Sequence, residues 1–78
     1  MGAIVYFEKT LEDSERVTYR YGTEEEDFAN SFVITKADMR PADIDPEKAS
    51  FGVQVAFSGI LKSYRRQGTW PDRGAGYA

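Results

Sequence analysis

The residues best suited to chemistry lie together in the last nineteen positions, from Ile60 to Ala78. This segment holds four of the ten basic side chains and only one of the thirteen acids, Asp72. Arginine beside an aromatic ring can bind phosphate, stack on a base or anchor a protein interface. The candidate binding residues are Lys62, Tyr64, Arg65, Arg66, Trp70 and Arg73.

These residues also have a purely structural interpretation. Arg65 and Arg66 suit the last turn of a helix, where cations complement the helix dipole. Trp70 and Pro71 would then turn back to cover a small core. The whole chain carries a net charge of −3, with six basic and twelve acidic residues before Ile60, which disfavours nucleic acid as the main partner. Both interpretations stay open at this point.

The composition excludes several kinds of site. The sequence has no cysteine, so disulfides, thiolate zinc sites and cysteine nucleophiles are absent, and it has no histidine, so serine–histidine catalysis is absent too. The acids at 24–27 follow one another directly, and Asp43 and Asp45 lack the glycine and terminal glutamate of a calcium loop. We therefore expect no metal, no cofactor and no enzymatic activity.

The hydrophobic pattern gives no sign of a membrane protein. No apolar run approaches the roughly 20 residues that span a bilayer. The amino-terminal residues lack a basic region followed by an apolar stretch, so we expect no export signal. The sequence predicts one small domain over 1–78, in the cytoplasm and without membrane association.

Three segments have the composition and alternation of β-strands. The first runs from Ala3 to Lys9 and the second from Glu15 to Tyr21, with a loop of about five residues between them. Val17, Tyr19 and Tyr21 alternate with polar residues, which is typical of a half-buried antiparallel strand. The third runs from Phe28 to Thr35, and a polar connection follows from Lys36 to Asp45.

A long helix is predicted from Asp45 to Gln67. Asp45-Pro46-Glu47 has the residue order of a helix start, and Gly68 is a typical C-cap. The apolar residues between them fall on one side at helical spacing. However, residues 51–57 also alternate at period two, so a fourth strand followed by a short helix from Ile60 is an alternative. The preferred fold is α+β: a three-stranded antiparallel sheet, one long helix and an ordered tail.

The end of the chain resembles the end of small uncharacterised actinobacterial proteins. In these an amphipathic helix runs into a Tyr-Arg-x-x-Gly-x-Trp-Pro pattern, matched here by Tyr64, Arg65, Gly68, Trp70 and Pro71. The resemblance covers about a quarter of the chain. It implies a helix before the motif and a bacterial cytoplasmic origin, and it implies no particular chemistry.

Three hypotheses for function follow. The leading one is a non-catalytic protein-interaction module: a small regulator, an accessory subunit or an immunity-type inhibitor, with Phe51 and Val55 as further apolar anchors. The second is nucleic-acid binding through the basic, aromatic carboxy-terminal segment. The third is a homodimer that closes through a sheet edge or through a stripe of small residues on the helix. These small residues are Gly52, Ala56, Gly59 and Ser63.

Overall fold

A computed structural model describes residues 4–24, 28–42 and 50–77 of the chain. In these ranges five strands and one helix follow one another along the sequence. They are β1 (Ile4–Glu12), β2 (Arg16–Gly22), β3 (Asn30–Thr35), β4 (Arg40–Pro41), α1 (Phe51–Gln67) and β5 (Arg73–Tyr77).

The strands form a single curled antiparallel sheet in the order β4-β3-β2-β1-β5. The first four strands follow their chain order, whereas β5 returns after the helix and pairs with β1. The prediction of a three-stranded sheet is therefore wrong, and so is the alternative of four strands and a short helix. The predicted strands are present with shifted ends, and β4 and β5 are additional.

Of the two strands that the prediction lacks, β5 is the longer, and the sequence pattern predicts only an ordered tail there. Arg73-Gly74-Ala75-Gly76-Tyr77 contains two glycines and no β-branched residue, so its intrinsic strand propensity is low. Its glycines are required by packing instead. A Cβ at Gly74 would lie 2.9 Å from the Phe7 ring, and one at Gly76 would overlap the carbonyl oxygen of Val55. Tertiary contact, not local preference, makes this segment a strand.

The β1–β2 connection is shorter than the predicted loop of about five residues. It comprises Asp13 to Glu15, and a bulge near Thr10 adjusts the register of the two strands. The Asp13 carboxylate accepts hydrogen bonds from the backbone N–H groups of Glu15 and Arg16, at 2.8 and 2.7 Å. These two bonds favour the ionised carboxylate and lower the pKa of Asp13 below its usual value.

Residues 51–57 are helical, so the preference for one helix over a further strand there is confirmed. Helix α1 begins at Phe51. Ser50 has an extended backbone, and its hydroxyl accepts from the Val53 N–H, which makes Ser50 the N-cap. The predicted start at Asp45-Pro46-Glu47 lies outside the described residues. The predicted C-cap is confirmed, because Gly68 is left-handed with φ of 78° and donates to the carbonyl of Tyr64.

The core lies between α1 and the inner face of the sheet. Apolar side chains from β1, β2 and β3 meet the helix and Trp70 there, as the alternation of Val17 and Tyr19 predicts. Tyr19 packs edge-on against Phe7, with ring centroids 5.6 Å apart. Its hydroxyl donates a 2.7 Å hydrogen bond to the Pro71 carbonyl, and burial raises its pKa well above the usual value. The fully buried larger side chains are Tyr19, Phe7, Ile34, Ile60 and Val17.

Candidate functional site

Trp70 and Tyr64, two of the predicted binding residues, belong to the packing of the domain. Trp70 is only 8% exposed and is part of the core. The Tyr64 ring lies against it, with centroids 4.6 Å apart at an interplanar angle of 38°. A buried ring cannot anchor a partner without leaving the core, so the structural interpretation of Trp70 is the better one.

Arg73 lies on the outer face of the sheet, away from the helix. It sits directly opposite Glu8 in the β1–β5 register, and its guanidinium lies 3.4 Å from that carboxylate. Arg20 of β2 donates a hydrogen bond to the same carboxylate. Glu8 thus partly neutralises two arginines. Arg73 does not join the cations of the helix in one patch.

The remaining predicted cations, Lys62, Arg65 and Arg66, lie on the exposed surface of the last turns of α1. Within residues 4–24, 28–42 and 50–77, every ion pair involves Lys9, Arg20, Lys36 or Arg73, and none involves these three helix cations. No acid of the described residues therefore offsets the charge of these three cations. The same holds for Arg16 and Arg40 of the sheet, whereas Lys9, Arg20, Lys36 and Arg73 face acids.

Lys62 and Arg66 border a depression between the helix and the edge strand, which we call the α1–β5 groove. Its volume is about 210 Å³. The floor has little side-chain material, because Gly59 and Gly76 bring the backbones of α1 and β5 together: a Cβ on Gly59 would lie 2.8 Å from Gly76 Cα. The lining residues are Ser58, Gly59, Lys62, Ser63, Arg66, Ala75, Gly76 and Tyr77.

Strand β5 is the last strand of the described sheet on this side, so one of its edges has no strand of the described residues beside it. The Lys9 N–H donates to the Asp72 carbonyl at 2.7 Å, in line with the β1–β5 register. Because hydrogen-bonded pairs alternate along an antiparallel ladder, Gly74 and Gly76 bond to β1. Arg73, Ala75 and Tyr77 alternate with these glycines, so their N–H and C=O groups point away from β1, toward the open edge of β5.

The outer face of the sheet carries a second depression, of about 330 Å³. Tyr6, Phe28 and Tyr77 line it together with Arg73, and Tyr77 is 72% exposed. Tyr6 pairs with Gly22 and Ala75, so it lies on the opposite face from Tyr19 and Tyr21. The three tyrosines therefore do not share one face of the sheet. Sequence reasoning missed Tyr77, because the strand that displays it was not predicted.

A third group of polar side chains joins β1 to the loops at one end of the domain. Lys9 and Lys36 contact the Glu12 carboxylate at 2.7 and 2.8 Å, and Lys9 lies 3.2 Å from Asp72. The hydrogen bonds from Lys36 and Lys9 lower the pKa of Glu12, and the bond to Glu12 raises the pKa of Lys9. Both shifts mean that the ion pairs stabilise the charged forms of Lys9 and Glu12. This group therefore has the character of a structural ion-pair network that links β1 to the neighbouring loops, and not of an acid–base pair.

The apolar anchors predicted on the helix separate in the structure. Val55 is buried, with its carbonyl against Gly76, whereas Phe51 is 59% exposed at the start of α1. In the described part of the chain no three acidic side chains come together in a way that could hold a metal ion. No helix there is long and apolar enough to cross a membrane.

Comparisons with protein-family models, with curated proteins and with solved structures find no match. The resemblance to small actinobacterial proteins therefore stays a prediction, and function has to be argued from the surfaces of this chain.

Proposed function

We propose that this protein is a non-catalytic interaction module that binds an acidic protein partner at the α1–β5 groove. The observation that supports this most is the distribution of cations. Lys9, Arg20, Lys36 and Arg73 form ion pairs with acids. Lys62, Arg65 and Arg66 form none among the described residues, as is also true of Arg16 and Arg40 on the sheet, but these three helix cations lie together at or beside a groove. Binding there gains electrostatic attraction without first breaking an ion pair.

The groove suits recognition better than catalysis. Its lining offers two cations, two serine hydroxyls and backbone groups. It has no histidine, cysteine or carboxylate to act as a general acid or base. A small regulator, an accessory subunit or an inhibitor of another protein needs only such a surface.

The same cations could bind phosphate, so nucleic acid is the outcome that the experiment must separate. The acidic net charge disfavours it, and the aromatic ring predicted to stack on a base, Trp70, is buried. Nucleic-acid binding would also weaken steeply with salt, in proportion to the phosphates contacted.

Affinity capture from an extract of the native host tests the proposal. The bait is compared with Lys62→Glu/Arg66→Glu and with a control, Arg40→Glu, which reverses an exposed cation on β4 at the far edge of the sheet. Each capture is repeated after nuclease treatment. We expect the wild type and Arg40→Glu to capture the same host protein, and Lys62→Glu/Arg66→Glu, the groove variant, not to capture it. Nuclease treatment should not change this result. Equal capture by all three baits, or loss after nuclease, would overturn the proposal.

A further inference from the structure

We infer that the occupant of the α1–β5 groove is an extended segment of the partner, which adds to β5 as a further antiparallel strand and alternates acidic with apolar residues. This inference rests on the proposed function and names the form of its partner. Three features of the groove support it: the edge of β5 that no strand of the described residues pairs with, the position of the cations and the different side chains on the two faces of the sheet.

The backbone edge supplies the hydrogen bonds. The N–H and C=O groups of Arg73, Ala75 and Tyr77 point away from β1, as the alternation from the Lys9–Asp72 bond requires. An added strand can pair with these groups, which is the way in which exposed sheet edges commonly bind peptides. In such a pair, each residue of the added strand that lies opposite Arg73, Ala75 or Tyr77 donates its N–H to β5 and accepts a hydrogen bond from β5 with its C=O.

The two faces of the sheet then fix the side-chain pattern. Residues of the added strand opposite Gly74 and Gly76 face the helix, because directly opposed residues share a face. There they meet Lys62 and Arg66, which favour carboxylates. Residues opposite Ala75 and Tyr77 face the outer side, where Tyr77 and Tyr6 favour apolar side chains. Acidic and apolar residues in alternation satisfy both faces.

A second copy of this chain is a poorer occupant. Two β5 strands paired edge to edge about a twofold axis would place both helices on the same side of the joined sheet. Lys62 and Arg66 of one copy would then approach the same cations of the other, and like charges across an interface oppose association. The charge on the groove therefore favours a different, acidic chain over self-pairing.

The test is an anisotropy titration with a short fluorescein-labelled peptide in which Glu and Val alternate. A block peptide of the same composition controls for charge. Two further peptides carry N-methyl groups, one on the Val residues, which pair with β5, and one on the Glu residues, whose N–H groups face solvent. We expect the alternating peptide to bind, and the peptide methylated on Glu to bind with the same affinity. The peptide methylated on Val and the block peptide should bind at least about tenfold more weakly, since each lost backbone hydrogen bond costs roughly fivefold in affinity.

Protein variants complete the experiment. Lys62→Gln/Arg66→Gln should weaken binding about five- to tenfold, and Arg40→Gln should leave it unchanged. Ala75→Pro removes only an N–H that points away from β1, so the sheet should remain and binding should fall. A circular dichroism melt checks that it folds, and the methylated peptides decide the matter if it does not.

The outcomes separate the inference from the proposed function. If the groove variant loses both the captured protein and the peptide, but Val methylation has no effect, the partner is acidic and does not bind as a strand, and the inference is wrong. If the groove variant retains both, the inference and the proposed function fail together. Binding of a single-stranded oligonucleotide more tightly than the peptide would also overturn the inference.

Discussion

Gly59 of α1 rests directly on Gly76 of β5, with no side chain between the two backbones. A Cβ on Gly59 would lie 2.8 Å from Gly76 Cα and 3.0 Å from the Ala75 carbonyl oxygen. This contact holds the helix against the edge strand and leaves the floor of the α1–β5 groove bare. Packing of the domain and access to the groove therefore depend on the same pair of glycines.

Gly76→Ala should destabilise the protein by about 3 kcal/mol, because its methyl group would overlap the Val55 carbonyl and force the helix away from the strand. Chemical denaturation measures the change in the free energy of unfolding. Ser58→Ala, which alters an exposed residue of the same groove, should change it by less than about 0.5 kcal/mol. An unchanged midpoint for Gly76→Ala would show that the close contact is absent.

Tyr19→Phe should cost about 1–2 kcal/mol, because it leaves the buried Pro71 carbonyl without its donor. Tyr6→Phe, on the outer face, is the matched control and should cost little. A cost equal to that of Tyr6→Phe would mean that the hydrogen bond to Pro71 adds nothing to stability.

The same phenol predicts how stability depends on alkaline pH. Burial raises the pKa of Tyr19 in the folded protein, so the unfolded chain releases this proton first, from its ordinary value near 10. The contribution is complete below pH 10 and is lost as pH rises above it. The slope of unfolding free energy against pH should be shallower in Tyr19→Phe, although not zero, since the pKa of Lys9 is also raised. Equal slopes for the two proteins would contradict the assignment.

Trp70→Ala should destabilise the protein by roughly 3–5 kcal/mol, because a large buried ring and its contact with Tyr64 are removed. Trp70→Phe keeps part of the packing and should cost less. Trp70 is the only tryptophan in the chain, so the fluorescence of the wild-type protein reports on this residue and should shift to longer wavelength on unfolding. If Trp70→Ala were as stable as the wild type but no longer captured the partner, Trp70 would have to be counted among the binding residues.

The ion pairs of Glu12 should make the stability of the protein depend slightly on pH in the acidic range. Lys36 and Lys9 lower the pKa of its carboxylate below the ordinary value of 4.5. Its contribution is therefore present above pH 4.5 and is lost as pH falls through the lowered pKa. Glu12→Gln should be less stable than the wild type by under about 1 kcal/mol at neutral pH, since the side chain is one-third exposed. The difference should vanish in acid, and a difference that persisted there would exclude the ion pairs as its cause.

Local sequence patterns predicted the elements that depend on local preference. The alternation of Val17 and Tyr19 gave β2, and the periodic apolar residues before Gly68 gave most of α1. Strand β5 has no such pattern, because its glycines are selected by contact with Phe7 and α1. Without β5, the groove and its edge could not be foreseen.

The candidate site was predicted in part for the same reason. Lys62, Arg65 and Arg66 stood out by charge, and they do lie free of acids among the described residues. Trp70 and Arg73 stood out by type, but their positions depend on burial and on the β1–β5 register, which a charge pattern does not contain. Tyr77 is exposed because β5 displays it on the outer face.

The α1–β5 groove is proposed to bind an extended, acidic segment of a partner beside β5. A ¹⁵N–¹H correlation spectrum recorded while the alternating Glu and Val peptide is added shows which backbone amides this segment contacts. We expect the largest amide shifts at Ala75 and Tyr77, smaller ones at Lys62 and Arg66, and none at Arg40. Shifts confined to the outer face or to the far edge of the sheet, or no saturable shifts at all, would contradict binding of such a segment at the groove.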